Sequence, residues 1–175
     1  MSYYFDLSIK KIEIKKPKRN LKPIVELQNK VDKTLPHDEY YYPTDEKTIK
    51  EYLSGDYILL GVYDRDKLIA ASFAFENGLF FSRPITDWMQ IPGNKIMCHE
   101  FVVVDMDYRG NGIQKRFMDA TIREARRMGY DTIWCCAHPD NTPSVCSIES
   151  TGYKLANTFV VNGWPRNVYY RGTAM

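Results

Sequence analysis

The stretch from residue 102 to residue 114 reads Val102-Val103-Val104-Asp105-Met106-Asp107-Tyr108-Arg109-Gly110-Asn111-Gly112-Ile113-Gln114, and it decides the fold. An apolar run typical of a strand stops at a short polar turn, which holds two glycines spaced Gly-x-Gly and precedes a helix-like segment. The pattern predicts a loop of free backbone N–H groups aimed along the start of a helix. Because helix N-termini carry unpaired donors and a partial positive charge, such a loop is typical of a phosphate or pyrophosphate site.

A strand-helix-strand unit surrounds this loop. The hydrophobic pattern predicts a strand over 95–104, a helix over 110–128 that Gly129 ends, and a buried strand over 131–136. Since a strand that returns to its own sheet through a helix does so in a right-handed, parallel crossover, we expect the two strands to be parallel.

The remaining segments predict further strands and helices on both sides of this unit. Upstream we expect a strand over 4–14, helices over 24–35 and 44–53, a hairpin of 57–63 with 67–75, and a long irregular loop over 76–94. Downstream we expect a helix over 143–151, capped by Asn141 or Thr142, and strands over 153–161 and 168–171. The order predicts a mixed α/β or α+β sheet in a single domain, residues 1–175.

Composition excludes several classes of protein. With 44% apolar residues the chain is not of the disordered type, and 24 basic against 22 acidic residues, a net charge of +2, argues against nucleic-acid binding by an overall field. The basic cluster at residues 10–19 is either a solvated strand and loop or a site for an anion or acidic partner. No long apolar run and no leader-like N-terminus is present in the sequence, so we expect a cytoplasmic protein that does not enter a membrane.

The cysteines and histidines do not predict a metal site. Cys98-His99 and Cys135-Cys136-x-His138 are the closest approach to a ligand pattern, yet neighbouring residues on a strand point to opposite faces. No Cys-x-x-Cys pair exists, and four cysteines in the cytoplasm are expected as thiols. We therefore expect no bound metal.

Two common phosphate loops do not match the glycine loop. A P-loop needs Gly-x-x-x-x-Gly-Lys-Ser/Thr, which does not occur in this sequence. A dinucleotide fold needs Gly-x-Gly-x-x-Gly, and Lys115 stands where the third glycine belongs. By itself Gly-x-Gly is a weak pattern, since many such pairs are only tight turns.

Three features together resemble the GNAT superfamily of N-acetyltransferases. Arg109-Gly110-Asn111-Gly112-Ile113-Gln114 is similar to the family's acyl-CoA pyrophosphate loop, Gln/Arg-x-x-Gly-x-Gly/Ala, with Gln114 in place of the final small residue. Asn141-x-x-Ser144-Val145-x-x-x-Glu149-x-x-Gly152-Tyr153 resembles the second cofactor segment, and the order of elements is similar over residues 57–171. The resemblance implies a mostly antiparallel sheet with a splayed parallel pair, and an enzyme that transfers an acetyl group from acetyl-CoA to an amine.

The resemblance also implies roles for particular residues in binding the cofactor. The strand at Val102, Val103 and Val104 would offer backbone groups to the pantetheine amides, as an added strand would. The amides from Gly110 to Gln114, including those of Asn111, Gly112 and Ile113, would hold the pyrophosphate, and Asn141 would bind the pantetheine arm as well as cap its helix. Arg109 would either add charge to a phosphate or close the turn, and Lys115 and Arg116 would approach phosphates or lie on a solvated helix face.

Glu100 is the predicted catalytic base. The attacking amine must lose a proton, and a carboxylate within an otherwise apolar strand needs a reason to be there. Similar family members place a glutamate base on this strand, although an ion pair with a strand neighbour would also explain Glu100. His99 is the weaker candidate because it points to the opposite face.

This chain lacks, at the family's usual position, the tyrosine that protonates the leaving thiolate. A tyrosine is expected at position 148, where this chain has Ile148. Ser147, Cys146, Tyr153 or solvent would have to replace it, and because a thiolate is a good leaving group, activity does not require the tyrosine. The same observation motivates the alternative of a catalytically silent acyl-CoA-binding or sensor module.

The acceptor site is expected in loops opposite the cofactor. Its candidates are Tyr40-Tyr41-Tyr42, the segment 80–88 and Asn162-Gly163-Trp164-Pro165-Arg166, whose aromatic and arginine side chains suit flat or anionic groups or simply cover the core. The expected partners are acetyl-CoA and a primary amine of a small molecule or peptide. Because sheet edges in such folds can pair between chains, both a monomer and a homodimer are consistent with the sequence.

Overall fold

The computed structural model describes residues 8–11, 21–80, 83–89 and 91–174. The strands are β1 Ser8–Lys11, β2 Tyr57–Asp64, β3 Lys67–Glu76, β4 Leu79–Phe80, β5 Arg83–Pro84, β6 Ile96–Val104, β7 Thr132–Ala137, β8 Lys154–Val161 and β9 Trp164–Gly172. The helices are α1 Lys22–Asp32, α2 Glu46–Tyr52, α3 Ile85–Met89, α4 Ile113–Arg127 and α5 Thr142–Ser150, with 3-10 turns at Asp38–Tyr40 and Met106–Tyr108.

One large sheet organises the described part of the chain. Seven strands follow the order β1-β2-β3-β6-β7-β9-β8, and β4 pairs with β5 in a separate ribbon. Every pairing in the large sheet is antiparallel except that of β6 with β7, which α4 connects. The prediction of a mixed, mostly antiparallel sheet with one parallel pair is confirmed.

Helices cover both faces of the sheet because each carries an apolar stripe. On α1, Ile24, Leu27 and Val31 are buried at helical spacing and pack with Ile49 of α2 on one face. On α4, Phe117 and its apolar neighbours pack with α5 on the other face. Helices α1 and α2 therefore lie on one face of the sheet, and α4 and α5 lie on the opposite face.

The parallel pair is short, and this shapes the site. Only three residues of each strand pair, from Ile96 opposite Thr132 to Cys98 opposite Trp134. Beyond Cys98, β6 continues to Val104 along β3, whereas β7 continues to its end along β9. The two strands thus diverge, as the predicted splay requires.

A β-bulge interrupts β6 at Glu100. Phe73 pairs with Phe101 and Ala74 pairs with His99, so that Glu100 is an extra residue between them. The bulge reverses the alternation of side chains along β6: Cys98 and Phe101 belong to the core beneath α1, whereas a regular strand would place them on opposite faces.

Several predicted boundaries differ from the structure for local reasons. The segment 76–94 is not irregular throughout, because it contains β4, β5 and α3. Helix α4 begins at Ile113 rather than at residue 110, since the glycines before it have left-handed backbones. Strand β9 begins at Trp164, four residues earlier than predicted, because its pairing with β8 extends to the turn.

Two further predictions bear on the ends and surface of the chain. Of the predicted strand over 4–14, only residues 8–11 are described, and they form β1; Lys15, Lys16, Lys18 and Arg19 lie outside the described residues. None of the described helices combines the length and the apolar composition that a membrane span requires.

Candidate active site

The loop before α4 needs its two glycines for its backbone shape. Gly110 has φ +79° and Gly112 has φ +67°, a region that L side chains rarely adopt. Apart from chain neighbours, no atom lies within 4 Å of a Cβ built on either glycine, so the space beside the loop is open. Asn111 closes the loop from within, because its side-chain amide donates to the backbone carbonyl of Tyr108 at 3.0 Å.

The first turn of α4 has no side-chain cap. Gly112 occupies the N-cap position and cannot supply an acceptor, and no acidic residue stands in the first turn. The first backbone hydrogen bond of the helix runs from the N–H of Arg116 to the carbonyl of Gly112 at 3.1 Å. The N–H groups of Ile113, Gln114 and Lys115 precede the first such bond and have no acceptor four residues back within the helix, and the helix dipole favours an anion beside them.

A cavity of about 410 Å³ lies between the glycine loop, β6 and the start of α5. It is lined by Val31, Leu35, Pro36, Tyr40, Tyr41, Val102, Val103, Val104, Tyr108, Arg109, Gly110, Gly112, Ile113, Gln114, Asn141, Pro143, Ser144 and Ser147. The structure thus brings together every predicted cofactor residue except Asn111, whose side chain is used inside its own loop. Ser144, which belongs to the predicted second cofactor segment, also lines the cavity, whereas the sequence did not predict the contribution of Val31 of α1.

The part of the cavity wall that β6 forms presents backbone hydrogen-bonding groups as well as side chains. Val103 is buried beneath α1, whereas Val102 and Val104 are partly exposed toward the cavity. In the described sheet, this half of β6 pairs with β3 on one edge and has no strand on the other. A chain-like ligand with amide groups can therefore hydrogen-bond there as a strand would.

Glu100 lies beside this cavity rather than in its wall. Its carboxylate accepts hydrogen bonds from the hydroxyl of Thr44 at 3.1 Å and from the thiol of Cys98 at 3.9 Å, neither of which is a cation. Burial raises the pKa of Glu100, and the bonds from Thr44 and Cys98 offset only part of that rise. A carboxylate whose pKa is raised above its usual value is a stronger base and is suited to accept a proton.

His99 is buried on the other face of β6, where its contacts suit a structural role. Its Nε2 lies 2.7 Å from the hydroxyl of Ser72, and its buried Nδ1 has no hydrogen-bond partner in the described residues. Burial lowers the pKa of His99 to about 4, so the ring is neutral at physiological pH. His99 therefore lies away from the face that carries Glu100, as predicted.

A buried glutamine fixes the segment between α1 and α2. Gln28 is fully buried, and its side-chain amide bonds to both the N–H and the carbonyl of Thr44 at 3.1 Å. The hydroxyl of Tyr41 donates to the same side chain at 2.5 Å. Burial and then the charge of Glu100 raise the pKa of Tyr41 far above its usual value. Gln28 thus sets the positions of two residues next to Glu100.

The predicted acceptor segments meet at one side of the gap between β6 and β7. Arg166 donates to the backbone carbonyl of Glu39 at 2.7 Å, and Tyr40 donates to that of Asp140 at 3.0 Å. Trp164 remains about half exposed, whereas the side chains of Phe80, Phe81 and Trp88 lie outside the described residues. The structure therefore joins the first and third predicted segments across the gap.

Comparison with protein families gives a clear result. The model of the Acetyltransferase (GNAT) family matches residues 24–153, which is most of the chain. The chain belongs to the GNAT acetyltransferase family. It is thereby an acyltransferase by family, although a search of curated proteins gives no match to its sequence.

Solved structures show the same GNAT fold at low sequence identity. The ribosomal-protein-S18-alanine N-acetyltransferase from Escherichia coli is 16% identical with a TM-score of 0.67, covering 97% of this chain and 95% of that one. The protein yncA from Salmonella typhimurium, solved with its cofactor acetyl-CoA, is 17% identical with a TM-score of 0.67, covering 96% and 94%. A chain of the NatC complex bound to Gag peptide and CoA is 14% identical with a TM-score of 0.70, covering 96% and 99%.

Two residues of the GNAT loop pattern are held by their own contacts. Gln114, which replaces the pattern's final small residue, donates from its side-chain amide to the hydroxyl of Ser144 at 3.1 Å and so bridges α4 and α5. Arg109 donates to the carbonyl of Val104 and to the hydroxyl of Thr34, both at 3.3 Å, which favours its role in closing the turn.

The second GNAT segment is in place without its tyrosine. Asn141 caps α5, accepting from the N–H of Ser144 at 3.4 Å, and it lines the cavity. Ile148 is only 3% exposed and belongs to the core beneath α4. Tyr153 is buried in the same core, so its hydroxyl does not reach the cavity. Cys146 is not among the residues that line the cavity.

Proposed function

We propose that this protein transfers an acetyl group from acetyl-CoA to a primary amine of a small molecule or peptide, by direct attack of the amine on the thioester. The observation that carries the proposal is the position of the glycine loop at the mouth of the gap between β6 and β7. The uncapped start of α4 and an edge of β6 that pairs with no strand in the described part of the chain meet there in one cavity. A phosphate-bearing chain with amide groups, as in CoA, fits both features.

The cofactor would lie along the cavity in a defined direction. The pyrophosphate would be held by the amides of residues 110–114, and the pantetheine arm would bond to the backbone at Val102 and Val104. Asn141 would bond to the arm from the opposite wall, since it faces the same cavity while capping α5. The thioester would then reach the deeper part of the gap, toward Glu100.

Glu100 would act as the general base from the acceptor side. Glu100 lies next to the cavity, its pKa is raised, and it has no cationic partner within the described part of the chain. These features support the role of a base over that of a structural ion pair. The amine proton would pass to Glu100 directly or through one water molecule, because the carboxylate is set beside the cavity wall.

The acceptor would enter between the tyrosine segment and the β8–β9 hairpin. Tyr42 and Trp164 are exposed there, and Arg166 joins the two walls. Structural neighbours include an enzyme named for the alanine of a ribosomal protein, a complex bound to a peptide and a candidate phosphinothricin N-acetyltransferase. Both peptide and small-molecule amines are therefore in keeping with this fold.

A panel of amines tests the proposal directly. Purified protein is mixed with acetyl-CoA and, in turn, short peptides with different N-terminal residues, polyamines and amino acids, and thiol release is followed by absorbance. We expect release that depends on one class of amine, with the acetylated product identified by mass spectrometry. Tight CoA binding without turnover on any amine would contradict the enzyme and favour a silent acyl-CoA-binding module, which the apolar residue at position 148 also fits.

A further inference from the structure

Three tyrosines line the cavity, and they differ in what their hydroxyls contact. Tyr41 donates to the buried side chain of Gln28, and Tyr108 donates to a carboxylate oxygen of Asp64 at 2.5 Å. The bond to Asp64, together with burial, raises the pKa of Tyr108 to about 12. Tyr40 instead donates to a neutral backbone carbonyl. Its proton is therefore held by a weaker acceptor than a carboxylate.

The ring of Tyr40 is fixed in the gap between the diverging strands. It packs against the imidazoles of His37 and His138, with ring centroids 5.0 Å and 5.3 Å away. His138 stands four residues beyond Trp134, the last residue of β7 that pairs with β6, and Val102 stands four beyond Cys98, the partner of Trp134, with the bulged residue Glu100 among those four. Tyr40 is thus level with the inner part of the cavity wall rather than with the glycine loop.

The other hydroxyls near α5 are poorly suited to give a proton to sulfur. Ser147 donates to the carbonyl of Pro143 at 2.9 Å, and Ser144 accepts from Gln114. The hydroxyl of Tyr153 is buried in the core. A phenol is also a far stronger acid than the aliphatic hydroxyl of serine, and phenols and thiols ionise in a similar range.

We infer that Tyr40 is the general acid of the proposed transfer, replacing from the segment between α1 and α2 the hydroxyl that α5 lacks at position 148. The inference rests on the proposed function. The amine nitrogen attacks the thioester carbon, the C–S bond breaks, and its electron pair goes to sulfur. The O–H of Tyr40 turns from the carbonyl of Asp140 to the sulfur and gives it a proton, which leaves CoA as the thiol. Glu100 takes the proton that the amine loses and passes it to solvent, and the phenolate of Tyr40 regains a proton from solvent, so that the transfer consumes no net proton.

The first test compares Tyr40→Phe with Tyr63→Phe. Phenylalanine at position 40 keeps the ring contacts with both imidazoles and removes only the hydroxyl, whereas Tyr63, a partly buried tyrosine of β2 that does not line the cavity, serves as the matched control. With the best amine of the panel, we expect kcat to fall by about 100-fold in Tyr40→Phe, in the range of general acid catalysis, and to be unchanged in Tyr63→Phe. CoA affinity, measured by calorimetry, should be retained in both variants.

The second test separates an acid from a positioning role. Replacing Tyr40 with 3,5-difluorotyrosine keeps the hydroxyl but makes it more acidic, so the alkaline limb of the pH–kcat profile should move to lower pH. An unmoved limb, an unchanged rate in Tyr40→Phe or a loss confined to CoA affinity would each overturn the inference while leaving the transferase intact. Absence of transfer by the unaltered protein would overturn the proposed function itself, so the two failures are distinguishable.

Discussion

The ammonium of Lys30 lies 2.7 Å from Oδ2 of Asp105, whose side chain is completely buried. Lys67 approaches the same oxygen at 3.5 Å. Asp105 stands where β6 ends and the glycine loop begins, and Lys30 belongs to α1. This pair therefore ties the helix on one face of the sheet to the start of the loop that forms the candidate phosphate site.

Replacing Asp105 with Asn should destabilise the fold by about 1–3 kcal/mol, because it leaves the lysines without their buried acceptor. Urea denaturation measures the loss, and Asp107→Asn at an exposed neighbouring position is the control. Burial raises the pKa of Asp105, but the hydrogen bond and charge of Lys30 more than compensate and lower it. Its contribution is therefore present above about pH 4 and is lost as pH falls through the lowered folded pKa. Equal losses in both variants would contradict the assignment.

A Gly112→Trp substitution should abolish CoA binding, because its side chain would occupy the open space beside the loop. The matched control is Gly129→Trp at the other end of α4, where φ is +79° and the surroundings of a Cβ are also open. Both variants pay a similar backbone cost of about 1 kcal/mol, which thermal unfolding measures. If calorimetry finds full CoA affinity in Gly112→Trp, the loop does not hold the pyrophosphate.

Glu100→Gln should lower kcat/KM by about 100-fold or more at neutral pH, as expected for removal of a general base. In the unaltered protein the rate should fall as pH decreases through the raised pKa of Glu100, and the variant should lack this limb. Thr44→Val should move the limb to higher pH, since the bond from Thr44 favours the carboxylate. An exposed glutamate, Glu51, supplies the control substitution. A pH profile that is the same in all variants would remove Glu100 from the mechanism.

Gln28→Leu should cost about 2 kcal/mol of stability, because the backbone of Thr44 and the hydroxyl of Tyr41 lose their buried partner. The KM for the amine should rise as well, since both residues border Glu100. Asn29→Leu, at the exposed neighbouring position on α1, separates this effect from a change in helix propensity. Thermal unfolding and amine saturation curves give the two readouts, and an unaltered KM would mean that the segment is positioned by other contacts.

The sequence predicts a helix or strand correctly where the spacing of its apolar side chains and the turn residues at its ends indicate the same segment. The stripe Ile24, Leu27 and Val31 predicts α1, and Gly112 predicts the loop, because its backbone needs a conformation that other residues avoid. The family motifs single out residues of β6 and Asn141, and in the structure these residues line one cavity. The cytoplasmic location, the oligomeric state and the roles of individual site residues stay predictions.

Other features depend on contacts that a one-dimensional pattern does not contain. The bulge at Glu100 arises from the register between β3 and β6, and no turn residue marks it. The turn that contains Tyr40 is held by Arg166, which donates to the carbonyl of Glu39, 127 positions away along the chain. The role of Gln28 could have been inferred from a polar residue within the apolar stripe of α1, but its partner Thr44 could not.

The three-residue pairing of β6 with β7 divides the sheet into two half-sheets joined by a short hinge. Each half is held together by its own antiparallel ladders, so the gap stays open without breaking any backbone bond. A pantetheine arm bound in the gap, as proposed, would contact both half-sheets and so connect them. Ligand binding would then slow amide exchange on both sides of the gap at once, because a single ligand would contact both half-sheets.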